Sequence, residues 1–219
     1  ASTEVIRNNT RYEKKDIEGA VVAAFLRVKD HFHYNVDSGQ WGEPPIPPPP
    51  MPKSPFQEQM ESAPIGNTYD YEIFARILTE LAFSDGTITA EEKEFFTGFI
   101  PDEIGPMERL IQGDPVSRIE CEEVTERVKE TIYQFAWAIS LVDFDLDPME
   151  EELLQEYADM FGIQEFRKQE LILNAKYEVL ERAIDPDISR QELFELADKI
   201  SMSRDDAERC RIGMKKRAG

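Results

Sequence analysis

The chain has 219 residues, 41% of them hydrophobic, and carries 45 acidic against 25 basic side chains, a formal net charge of -20. That apolar share suffices to bury a core in one large or two small domains. So negative a balance repels phosphate backbones and anionic headgroups, which argues against nucleic acid and acidic membrane surfaces and favours cations or basic protein surfaces as partners.

No apolar run approaches the roughly 18 residues needed to cross a bilayer, so no transmembrane segment is expected. The two cysteines, Cys121 and Cys210, have no Cys or His nearby in sequence. Free thiols in a reducing, soluble compartment such as the cytoplasm are therefore expected rather than a disulfide. The first residue is Ala1, which leaves open whether an initiator Met or a targeting segment has been removed.

Residues 1–38 form an arm that is nearly balanced in charge. Ile17, Ala20, Val21, Ala24, Phe25, Val28 and Phe32 recur at three- and four-residue steps, which predicts one amphipathic helix from about Asp16 to about His33. Its apolar face needs a cover, either the main domain or another protein. Residues 39–67 include Gly39-Gln40-Trp41-Gly42 and then a dense proline run to Pro55, which predicts an extended polyproline spacer because so many amide donors are missing. Phe25 and Phe32 on the arm, with Trp41, Pro47 and Pro50 in the spacer, are the candidate partner contacts.

From 68 to 219 the pattern is helical almost without a break, and the expected fold class is all-α, a bundle of helix-turn-helix pairs. Tyr71, Phe74, Ile77, Leu78 and Leu81 mark one helix, Ala90 to Ile100 the next, and Gly105 to Ile111 a short one. Val124, Val128, Ile132, Phe135, Ile139 and Val142 mark a long helix, apolar nearly all round in its second half and therefore central. Leu153 to Phe161 follows, with Gly162 as its stop. Phe166, Leu173, Tyr177 and Leu180 mark another helix, Leu193 to Ile200 one more, and Ser203 caps the last.

Three of these helices open on one recurrent eight-residue pattern: Asp85 to Glu92, Asp143 to Glu150 and Asp185 to Glu192. Each reads Asp, two residues, Ile or Leu, a small oxygen-bearing residue, two residues, Glu. As a corner, the Asp ends one helix, the Ile or Leu tucks under, Thr89, Asp147 or Ser189 caps the next, and the Glu closes a capping box. The spacing also coincides with the second half of an EF-hand loop. The first half is absent, because the residues four and two before Asp85 and Asp143 are apolar, so a true EF-hand is excluded.

Asp143, Asp145, Asp147, Glu150, Glu151, Glu152, Glu156 and Asp159 follow one another with no Lys or Arg between. Two readings stand for the corners: turn and cap formation alone, or cation binding in addition, with carboxylates from two corners brought together. Asp145 is the acid that capping does not require.

The stretches Leu81 to Glu92 and Ile139 to Glu150 resemble the two acidic corners of the TerB-like family, named for tellurite resistance. The resemblance covers about 68–161 well and the remaining helices loosely; Phe144 stands where the family usually has Gly. It implies an all-helical domain with paired corners near a pseudo-twofold axis and clustered acids proposed to bind metal, in a module of stress-response, chaperone-linked or membrane-associated assemblies. Asp85, Glu92, Asp143 and Glu150 are the positions carried over. With Asp145 and Asp147 added from the local charge, they are the candidate ligands for calcium or another divalent cation.

The only histidines, His31 and His33, lie in the arm, away from the acids, so no Ser-His-Asp relay or Glu-x-x-His pair is available. Carboxylates at solvated helix starts should keep low pKa values, which makes a carboxylate-based hydrolase a minor alternative. The expected function is a non-enzymatic binding module: an adaptor or assembly subunit with an acidic, cation-binding surface, or a structural subunit whose acidic face and arm dock onto partner proteins with no metal.

Overall fold

The computed structural model describes residues 14–28, 33–35, 39–42 and 53–218. The chain divides into two units, 1–51 and 52–219.

In the first unit, α1 spans Lys14–Val28, and β1 (His33–Asn35) pairs antiparallel with β2 (Gln40–Gly42), setting Tyr34 opposite Trp41. His33 is therefore in a strand rather than at a helix end. Gln40 to Gly42 pair with a neighbour instead of extending as polyproline. Gly39 takes φ 65° before β2, a conformation glycine adopts without penalty. The arm helix is less one-sided than its periodicity predicts: Ile17, Val21 and Val28 are exposed, and so are Val22 and Leu26 on the other side. Phe32, Pro47 and Pro50 lie outside the described residues.

The second unit begins earlier than the expected boundary at 68. Helix α2 (Pro55–Ser62) opens with a capping box, Ser54 and Gln57, and a first-turn proline. The sequence Ser54-Pro55-Phe56-Gln57 is thus a helix start and not the tail of a spacer. Phe56 is fully buried. The chain continues through α3 (Thr68–Ala82), α4 (Ala90–Phe99), α5 (Met107–Leu110), α6 (Arg118–Glu123), α7 (Glu126–Leu141), α8 (Pro148–Phe161), α9 (Glu165–Ala183), α10 (Arg190–Lys199) and α11 (Arg204–Ala218). Outside the two three-residue strands, the described fold is a multi-helix bundle.

α7 is the centre, with α2, α3, α4, α8 and α9 all packed on it. From Thr131 to Leu141 every residue except Trp137 is buried. Phe135 is the hub: the rings of Phe56, Phe74, Phe95 and Phe99 stand 4.8, 5.1, 6.1 and 4.6 Å from it, all edge-on, a geometry that aromatic quadrupoles favour. Three helices are thereby gathered onto one side chain. Arg182 of α9 lies over Phe95 and Phe99. Val124 does not belong to the long helix; it follows the short, separately capped α6 and is buried. Phe166 is 85% exposed. It sits about 140° round α9 from the buried Leu171, five residues on at about 100° per residue.

Candidate functional site: the paired acidic corners

The three recurrent stretches are corners of one design. In each, the leading Asp closes a two-residue Asx turn: Asp85 Oδ1 accepts from Thr87 N at 2.7 Å, Asp143 Oδ1 from Asp145 N at 3.0 Å, and Asp185 Oδ1 from Asp187 N at 2.8 Å. Thr89, Asp147 and Ser189 cap α4, α8 and α10, and Glu92, Glu150 and Glu192 complete the capping boxes. Phe144 stands where the first corner has Gly86, and the turn is intact. Phe144 takes φ 64°, in the same left-handed region as Gly86 at φ 88°.

The corners differ in burial. Glu92 and Glu150 are 6% and 5% exposed, whereas Glu192 is exposed. The cause is tertiary. α3 packs on both α7 and α8, and α4 packs on α3 and α7, so the first two corners arrive together, while the third joins α9 to α10 elsewhere.

Electrostatics follow from that meeting. Burial pushes the Glu150 carboxyl up to about 7, against cap hydrogen bonds that pull it down, with the charges of Glu92 and Asp143 adding to the rise. Burial likewise raises Glu92, which feels Asp143 and Asp85, and raises Asp143, which feels Asp145 and Glu91. The expectation of low pKa values is thus overturned for these three, because loss of hydration outweighs their hydrogen bonds. Asp85 is the contrary case: fully exposed, it is lowered by its hydrogen bonds to Thr87.

Nothing positive answers this charge. Among the described residues the ion pairs leave out Asp85, Glu92, Asp143, Asp145, Asp147 and Glu150. The Ser140 hydroxyl stands beside Glu150 and lowers it, yet its Oγ, buried, falls short of hydrogen-bond geometry with any partner. No local pattern in the sequence ties Ser140 to Glu150, ten residues on; only the fold does.

The site does not present a finished metal shell. Among the described residues no three His, Cys, Asp or Glu side chains converge as a coordination set. Oε2 of Glu92 and of Glu150 is already taken by the backbone of Thr89 and Asp147, at 2.7 and 3.0 Å. Asp145 is exposed, and Asp147 Oδ1 is engaged by Met149 N at 2.7 Å. Of the six candidate ligands, the fold brings together Glu92, Asp143 and Glu150, with Asp85 at the rim; Asp145 and Asp147 stay with the turn and the cap.

Of the candidate partner contacts, Phe25 is on α1 and 44% exposed, and Trp41 is on β2. Both cysteines are buried and free, and burial pushes Cys121 up to about 11 and Cys210 up to about 12. Such thiols are inert at neutral pH. No helix among the described residues is long and apolar enough to cross a membrane.

Comparison of the chain with protein-family models, with curated proteins and with solved structures finds no match.

Proposed function

We propose that the chain is a non-enzymatic, TerB-like binding module that acts as an adaptor or assembly subunit. The observation that carries this reading is α1. Ile17, Val21, Val22, Leu26 and Val28 are between 42% and 56% exposed on a helix whose only charges from 17 to 28 are Glu18 and Arg27. A helix apolar on most of its circumference is stable only when covered, and its cover here is a protein partner. The acidic corners supply charge for docking rather than catalysis: none of their carboxylates lines the groove between α8 and α9 or the smaller cavity of the bundle.

The test is removal of residues 1–51 together with the paired change Val21→Glu and Leu26→Glu in the full chain. Both forms should keep the helical circular dichroism of the second unit and lose a co-purifying partner. Retention of every partner by both would overturn the reading.

A second reading, favoured by the uncompensated charge at Glu92, Asp143 and Glu150, is that the corners also take calcium or another divalent cation. Lacking a ready shell, the site would gain its order on binding, so calcium, magnesium, manganese or zinc at millimolar concentration should raise the melting temperature. Glu92→Gln with Glu150→Gln should abolish the rise. Identical melting curves with and without all four ions would dismiss it.

A further inference from the structure

The edge-on rings gathered at Phe135 do not fill the space between them. A cavity of about 110 Å³ opens beside α2, and its walls come from α2, the turn after it, α3, α4 and α7. Phe74, Thr131 and Phe135 line it and are at most 2% exposed, while Ile65, Tyr71 and Phe99 line it half-buried. It therefore reaches from the surface to the hub of the core.

Buried hydrogen bonds keep this cavity in shape. Thr131 Oγ1 donates to the Ala63 carbonyl at 2.9 Å and accepts from Gln59 Nε2 at 3.2 Å, and Gln59 Oε1 accepts from Arg167 of α9 at 2.6 Å. The bonds pin α2 and the turn after it to α7 and α9, so α2 cannot settle inward to close the gap. They also spend the Thr131 proton, which leaves no donor in the depth of the cavity to hold a water. An apolar cavity of this kind stays dry, and one of about 150 Å³ takes up benzene.

The walls select the occupant further. The rings of Phe74 and Phe99 stand 5.1 and 4.6 Å from Phe135, steeply inclined to it, and so offer both faces and edges to another ring. No charged side chain lines the space, so a carboxylate or an ammonium group would lose its hydration without return. At the half-buried end, the Tyr71 hydroxyl makes no hydrogen bond among the described residues.

We infer that this cavity binds an uncharged molecule built on one aromatic ring, the ring against Phe74, Phe99 and Phe135 and a hydroxyl on it paired with that of Tyr71. The inference goes beyond the binding-module reading and shares no residue with α1 or the corners.

The probe is 4-fluorophenol, added to the full chain and followed by its fluorine resonance. Saturation at about 1 mM or below is expected, with 4-fluorobenzoate at least about tenfold weaker. Ile65→Trp narrows the cavity and should weaken 4-fluorophenol about tenfold or more, with the helical circular dichroism retained. Ile119→Trp, at an exposed site on α6 outside the cavity, should change it by about twofold or less. Tyr71→Phe, which needs no added volume, should weaken 4-fluorophenol about threefold or more and leave fluorobenzene unaffected. Absence of saturable binding, 4-fluorobenzoate binding as tightly as 4-fluorophenol, equal loss from the two Trp variants, or equal loss of 4-fluorophenol and fluorobenzene with Tyr71→Phe would each overturn the assignment. None of these results bears on the removal of residues 1–51, so the cavity and the module reading can fail separately.

Discussion

Glu92 and Glu150 hold the same place in two different capping boxes, and the fold buries them both, with the charge of Glu92 adding to the rise of the Glu150 pKa and the charge of Asp143 adding to both. Each fixes the start of a helix by accepting from its cap backbone, a role that favours the charged form. Each also loses hydration and meets a like charge, which favours the neutral form, and for both the second effect is the larger.

This sets a pH dependence with a definite sign. The folded pKa of Glu150, about 7, lies above its ordinary 4.5, so the folded state holds the proton more tightly. Its penalty is absent below about pH 4.5, grows as pH rises to about 7 and is constant beyond. Glu150→Gln keeps a capping-box side chain without the charge. It should be more stable than the parent at pH 8, by about 1–3 kcal/mol, and close to it at pH 4.5, as read by urea denaturation at both values.

The domain boundary makes a second prediction. Removing residues 1–51 should leave the second unit's denaturation midpoint unchanged, whereas removing 1–67 strips Phe56 from Phe135 and should lower it sharply. Phe56→Ala, at a fully buried site, should cost about 3–5 kcal/mol.

Glu80 is held by two donors. Tyr157 donates its hydroxyl to Oε2, and Val116 N donates to Oε1 at 2.7 Å. Burial raises the Glu80 pKa in spite of both. Tyr157→Phe removes one donor from a poorly hydrated carboxylate and should destabilise by about 1–3 kcal/mol in thermal or urea melts. The loss should be greater at pH 8 than at pH 4.5, where the carboxyl is more nearly neutral.

Ser201 follows α10 at φ 49°, exposed, with no side-chain hydrogen bond among the described contacts. Its carbonyl, not its hydroxyl, receives Lys176. Ser201→Gly should therefore stabilise the chain by about 0.5–1 kcal/mol in the same melts, since glycine takes this conformation without a Cβ penalty.

The corners were legible because a capping box is a local pattern: Thr89 with Glu92, Asp147 with Glu150 and Ser189 with Glu192 announce themselves at a fixed spacing. The helix α7 was legible because its second half is apolar all round. What escaped was non-local or masked by composition. Pro55 reads as one more spacer proline until Ser54 and Gln57 are seen to bracket it. Phe166 fits a three- and four-residue comb yet faces solvent, because the buried stripe of α9 runs through Leu171, Ala175 and Val179 instead. Nothing within eight residues distinguishes Glu150 from Glu192; which one is buried depends on which helices later pack together. The expectation about corner pKa values failed for that reason.

Because α7 is enclosed on several sides while α11 rests mainly on α9 and α10, the backbone amides of the two regions should open to solvent by different routes. Deuterium should enter α10 and α11 through partial opening of the carboxy-terminal end, and reach the amides around Phe135 only when the whole second unit comes apart.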